Sequence, residues 1–154
     1  PEKIARIVIL NTGAFHVPVG KKVPFALRLC RDTSFGDYLV RNFNAFALGA
    51  SLVGCKRQIM PQNIREAYLA PYNSWQNRIA TSRFVQDIPL DEKDQGYKTI
   101  TEIQENLYKL KDKKILICWG EKDFVFDHYF FNTFLQYFPD AKVKKYPDCG
   151  RHDA

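Results

Sequence analysis

Lys114–Asp127 reads KILICWGEKDFVFD, and the fold is decided by how this stretch is read. After the lysines comes an apolar run, Ile115, Leu116, Ile117, Cys118 and Trp119, closed by Gly120 and by a polar turn that carries Asp123. A continuous apolar run of that length, charged at one end and stopped by glycine at the other, is the pattern of a strand covered on both faces. Strands of that kind build parallel sheets, in which ligands sit beyond the carboxyl ends. Asp123 falls there. The rest of the chain must bring a partner to its carboxylate.

Downstream, Asp127 to Phe138 has helical spacing, with Phe130, Phe134, Tyr137 and Phe138 toward the sheet. Asp127 is placed to cap that helix, which frees Asp123 for another task. Pro139-Asp140 turns the chain into Lys142–Tyr146 (KVKKY), a short edge strand whose lysines discourage further pairing. A loop from Pro147 to Gly150 follows, with His152 close behind. Upstream, Arg6–Leu10 (RIVIL) is a β-branched run ending in the turn signal Asn11-Thr12-Gly13, a second buried strand. Tyr97 to Leu110 carries Ile100, Ile103, Leu107 and Leu110 on one face, as a helix packed on a sheet does.

Between the first two strands lies an excursion on the order of a hundred residues, far beyond a minimal βαβ crossover of about a dozen. Helices are expected at Val23–Leu29, across Gly36–Val53, after Pro61, and from Ser74 as N-cap through Trp75, Ile79 and Val85 to a stop at Pro89. The Gly36–Val53 segment is apolar nearly all round, so it should be enclosed or line a cavity. The organisation expected is a core strand and loop at 1–17, a helical lid at 18–94, and further core at 95–154. The fold class is α/β.

With 45% hydrophobic and 14% aromatic residues the chain can fill a core, which argues against disorder. Its lysines cluster at element ends rather than in a stripe interleaved with exposed aromatics, so a net charge of +6 does not mark a nucleic-acid binder. Cys30, Cys55, Cys118 and Cys149 form no C-x-x-C pair, which fits free thiols in a cytoplasmic protein with no metal centre. No apolar run reaches transmembrane length. The chain opens at Pro1 rather than methionine and reads as part of something larger.

The chemistry-bearing pattern is an Asp after one strand and a His after the next. A carboxylate bonded to one ring nitrogen fixes the tautomer of a histidine acting as base at the other. In α/β-hydrolases the order along the chain is nucleophile, acid, histidine. Asp123 and His152 supply the last two, and no G-x-[SDC]-x-G elbow is present for the first. His16, at the carboxyl edge beyond RIVIL, is placed to line a pocket. Phe43, Phe46 and Trp75 in the lid are candidates for an apolar substrate channel.

The segment WGEKDFVFDHYFF (119–131) resembles the one after the seventh strand of α/β-hydrolases of the haloalkane dehalogenase-like group, and RIVILNTGAF (6–15) resembles their sixth strand and its loop. YLAPYNSW (68–75), NRIAT (77–81) and RFVQDIPL (83–90) resemble the lid of the bacterial β-lactone decarboxylases of long-chain olefin biosynthesis, a branch of that group. The resemblance implies a partial α/β-hydrolase fold, the last three parallel strands plus the lid. It also implies an aspartate nucleophile upstream, Asp123 as acid and a terminal histidine as base. The implied substrate is a cis-β-lactone with two alkyl chains, broken to a cis-alkene and carbon dioxide without cofactor or metal, in an assembly with a lactone synthetase and a reductase.

One position departs from the pattern. The base ordinarily follows a small-Gly pair directly, as in D-A-G-H, whereas here Asp148-Cys149-Gly150 is followed by Arg151 and only then His152. Two other readings stay open: a haloalkane dehalogenase, and an interaction module inactive for want of a nucleophile. The edge of RIVIL is expected to pair with upstream sequence or with another copy of the chain.

Overall fold

The computed structural model describes residues 3–150. Strands β1 (Arg6–Leu10), β2 (Lys114–Gly120) and β3 (Lys142–Tyr146) form one parallel sheet in the order β1-β2-β3. The register sets Ile7 beside Ile115, Ile9 beside Ile117, and Ile117 beside Val143, so these β-branched residues of all three strands share a face. Helix α6 (Tyr97–Asn106) runs into a 3-10 turn at Leu107–Leu110 ahead of β2, and α7 (His128–Tyr137) links β2 to β3. On the shared face Ile9, Ile115, Ile117 and Trp119 meet Leu107, Phe130, Phe131, Phe134 and Phe138 in the core. Phe15, from the loop after β1, closes the cluster with its ring centroid 4.8 Å from Phe134 and 5.7 Å from Phe130. Burial of each such aromatic stabilises the fold by about 1.5–3 kcal/mol relative to exposure.

The expectation that β2 is covered on both faces is met on one only, among the described residues. On the other face Leu116 and Cys118 are half-buried and Val8 and Leu10 are exposed. The reason is topological. Both connections step across the sheet in the same direction, and right-handed crossovers then put both helices on the same side. The outer edge of β1 has no strand partner among the described residues.

Five α-helices lie between β1 and α6: α1 (Phe25–Asp32), α2 (Ser34–Phe43), α3 (Ala45–Val53), α4 (Gln62–Leu69) and α5 (Ile79–Gln86). The single helix expected across Gly36–Val53 is two. Asn44 takes a left-handed conformation (φ 54°) and donates its N–H to the Leu39 carbonyl, ending α2. Asparagine is among the few residues that tolerate this geometry, so a short interruption sufficed to break an otherwise helical pattern. Nor is the segment enclosed: Leu52 and Val53 are exposed among the described residues. The first helix starts later than expected, with Pro24 in extended geometry at its N-cap. Ser74 caps a local turn, accepting from the Asn77 N–H at 3.2 Å, and α5 begins only at Ile79. None of the helices among the described residues is long and apolar enough to cross a membrane.

A charged clasp ties the start of this helical set to its end. The Arg31 guanidinium, nearly buried, bonds the Ile88 carbonyl at 2.7 Å and pairs with Asp94. The same Asp94 oxygen accepts from the N–H groups of Asp91 (2.7 Å) and Leu90 (2.9 Å). Those backbone donors, with Arg31, hold the Asp94 carboxyl below the usual carboxylate range. A depressed folded-state pKa stabilises the fold above the unfolded value of about 3.9, and that contribution is lost as pH falls through the lower folded value. Asp94→Asn is therefore expected to lower the melting temperature at neutral pH, with the gap from wild type closing in acid. A gap that stays constant down to low pH, measured by thermal melts across a pH series, would refute the assignment.

Candidate active site at the carboxyl edge of the sheet

Beyond Gly120 the chain makes a tight turn in which Asp123 is 2% exposed. Its Oδ1 accepts from the N–H groups of Val125 (2.8 Å) and Phe126 (3.0 Å), the Asx geometry that aspartate favours in turns. Its Oδ2 is equally buried and has no partner among the described residues. A buried carboxylate oxygen without a donor is costly, so this atom is where a donor belongs. Asp127, four residues on, caps α7 by accepting from the Tyr129 N–H at 3.0 Å. Asp127, not Asp123, is thus the cap of α7, as its spacing suggests.

The loop after β3 is laid over this turn. Glu121 N–H donates to the Tyr146 carbonyl (3.0 Å), Lys122 N–H to the Cys149 carbonyl (3.0 Å), and Cys149 N–H to the Tyr146 carbonyl (3.3 Å). Gly120 permits the contact, because a Cβ there would lie 2.8 Å from the Cys149 carbonyl oxygen and 3.0 Å from that of Gly150. On its far side the loop meets the segment following α3. Arg57 Nε donates to Asp148 Oδ2 at 2.8 Å, and this bond holds the Asp148 carboxyl below the usual carboxylate range. The chain thus arrives at Gly150 beside the Asp123 turn. Arg151 and His152 lie outside the described residues.

The other candidates from the sequence are not gathered at this turn. His16 packs on α6: its Nε2 is 2.8 Å from Thr101 Oγ1, its backbone N–H donates to Gln104 Oε1 at 2.9 Å, and its ring stacks on Tyr97 with centroids 4.0 Å apart. Pocket lining was the expectation for His16; fastening the β1 loop to α6 is what its contacts amount to. Trp75 is half-exposed, with the Arg41 guanidinium 3.4 Å above its ring. Phe43 is exposed and Phe46 partly buried. An open groove of about 400 Å³ between α2, α3 and α4 takes in Phe43, Leu48, Leu69 and Tyr72 but neither Phe46 nor Trp75. Among the described residues no group of three or more His, Cys, Asp and Glu side chains could hold a metal ion.

Sequence reasoning missed the residues that hold the turn from outside, Asn11 and Lys21. In the sequence Asn11 is a turn signal, and only its position at the end of a strand beside the Asp123 strand hints at more.

A partial α/β-hydrolase fold of the haloalkane dehalogenase kind is what these elements define. The haloalkane dehalogenase DbeA from Bradyrhizobium elkani USDA94 superposes with a TM-score of 0.80 at 15% identity, over 95% of this chain and 52% of its own. DatA from Agrobacterium tumefaciens C58 does so with a TM-score of 0.76 at 12% identity, over 94% of this chain and 50% of its own. In sequence the chain is a homologue of proteins named cis-3-alkyl-4-alkyloxetan-2-one decarboxylase. The one from Shewanella oneidensis (strain MR-1) is 53% identical over 152 residues, 99% of this chain and 48% of that protein. The one from Xanthomonas campestris pv. campestris is 39% identical over 150 residues, 97% of this chain and 50% of that protein. The chain spans about half the length of the curated relatives it matches, a share that fits their C-terminal portion. No family model matches it.

Proposed function

We propose that this chain supplies the acid and the base-bearing loop of a β-lactone decarboxylase. In the full-length protein the substrate is a cis-β-lactone carrying two long alkyl chains, and the products are a cis-alkene and carbon dioxide. Asp123 Oδ2 accepts the imidazole N–H of a histidine from the loop beyond Gly150, which in this sequence is His152. The nucleophile, an aspartate, comes from the part of the fold that this chain does not include. Phe43, Phe46 and Trp75 offer apolar surface to the alkyl chains, and a cytoplasmic assembly with a lactone-forming synthetase and a reductase completes the reading.

The observation that carries the proposal is the buried, donorless Oδ2 of Asp123 in a chain 53% identical to a named decarboxylase. An oxygen so placed is suited to orient an imidazole and to stabilise the imidazolium that forms in catalysis. The test is to incubate the full-length protein with a synthetic cis-β-lactone and follow alkene by gas chromatography. Alkene formation is expected. Halide release from bromoalkanes with no alkene would replace the reading with that of a dehalogenase, and inertness toward both would leave the interaction-module alternative.

A further inference from the structure

The turn bearing Asp123 is gripped by two side chains from the segment that follows β1. Asn11, at the end of β1, uses its whole amide. Its Oδ1 accepts from Gly120 N–H at 2.7 Å, and its Nδ2 donates to the carbonyls of Gly120 (3.0 Å) and Phe126 (3.3 Å). Gly120 and Phe126 bracket the turn, so one side chain staples its two ends together. Lys21 grips the middle, its Nζ donating to the Phe124 carbonyl at 2.9 Å and pairing with Asp127 Oδ2 at 2.8 Å. Its side chain is only 7% exposed. Gly20 brings it there with a φ of +86°, and a Cβ at that position would stand 3.2 Å from the Tyr129 ring.

These contacts are coupled to the carboxylate through one residue, Phe126, and through one peptide group, that between Phe124 and Val125. Phe126 donates its N–H to Asp123 Oδ1 and offers its carbonyl to Asn11. The peptide linking Phe124 to Val125 likewise gives its carbonyl to Lys21 and its N–H to Asp123 Oδ1. The donors that fix one carboxylate oxygen are therefore themselves fixed. A carboxylate with one oxygen buried and donorless would otherwise relax by rotating toward a neighbouring N–H. We infer that Asn11 and Lys21 are positioning residues for Asp123, holding its Oδ2 in the one place where an imidazole N–H can reach it. The inference rests on the reading of Asp123 as the acid.

The test compares wild type, Asn11→Ala and Lys21→Met in the full-length protein. Kinetics on a cis-β-lactone give kcat, KM and the pH profile of kcat/KM, and hydrogen exchange follows the amides of Gly120, Val125 and Phe126. Asn11→Ala is expected to lower kcat by roughly 10- to 100-fold, the scale of a small misplacement of a reacting group, with KM little changed. The acid limb of the profile should move to lower pH, because a displaced carboxylate no longer favours the imidazolium. Exchange at the three amides should quicken while β2 and α7 stay protected. Lys21→Met should act in the same direction more weakly, and it serves if Asn11→Ala does not fold. A lower melting temperature with an unshifted acid limb and unchanged exchange would overturn the inference and leave Asn11 a merely structural residue. An inert wild type overturns the decarboxylase reading instead. The grip is then judged by exchange alone, where unchanged rates at the three amides refute it.

Discussion

Asp123→Asn in the full-length protein is expected to lower kcat by about 10⁴-fold while the protein stays folded, as the corresponding change does in a Ser-His-Asp triad. The amide is nearly the shape of the carboxylate, and its oxygen can keep the N–H groups of Val125 and Phe126. The amino group then stands where Oδ2 was, a donor facing the ring nitrogen whose hydrogen the carboxylate would accept. The imidazole must take the other tautomer, and its far nitrogen carries a hydrogen when it should be accepting one. The loss should appear in kcat rather than in the melting temperature. Alkene formation by gas chromatography within tenfold of wild type would remove Asp123 from the role of acid.

Gly120→Val is expected to be damaging as well, though less so, for a steric reason. The first side-chain carbon would lie 2.8 Å from the Cys149 carbonyl oxygen and 3.2 Å from its carbon. Both are backbone atoms of the loop that leads to the histidine, so no flexible side chain can swing aside. Overpacking of this kind costs about 1–3 kcal/mol. Lifting the loop also breaks the bond from Lys122 N–H to the Cys149 carbonyl and, on the roles proposed above, separates base from acid, for which a loss of around 100-fold in activity is the relevant scale. Gly49→Ala is the matched control. It lies within α3 with nothing within 4 Å of the added carbon, and it should stabilise by about 0.5–1 kcal/mol. Equal melting temperatures and activities for Gly120→Val and wild type would refute the account.

The strands and the position of the buried Asp123 were legible in the sequence because each is a local signal. RIVIL, KILICWG and KVKKY are short runs with a defined stop, and β1, β2 and β3 occupy those residues. Asp123 followed from its offset beyond a glycine-terminated strand, and the assignment of the cap to Asp127 followed from its place at the head of a helical pattern. Two things were not legible. Where the helical excursion breaks depends on backbone conformation at single residues such as Asn44, which periodicity averages over. How the Asp123 turn is held depends on contacts spanning more than a hundred residues of chain, as between Asn11 and Gly120. Nothing in the local pattern distinguishes a turn asparagine from one that bonds across the sheet. The lid aromatics show the same limit, for the groove between α2, α3 and α4 takes in Phe43 but neither Phe46 nor Trp75.

The crossing of the β3 loop over the Asp123 turn has a consequence for length changes in this protein. From Tyr146 to Cys149 the backbone is measured off against Glu121 and Lys122 by two hydrogen bonds and closed on itself by a third, and Gly150 lies against the Gly54 carbonyl, 2.7 Å from where its Cβ would be. A residue inserted or deleted between 146 and 150 would shift every one of these registrations at once. Loops exposed to solvent usually absorb such changes. This one works as a gauge block, its length fixed by what it touches on both sides.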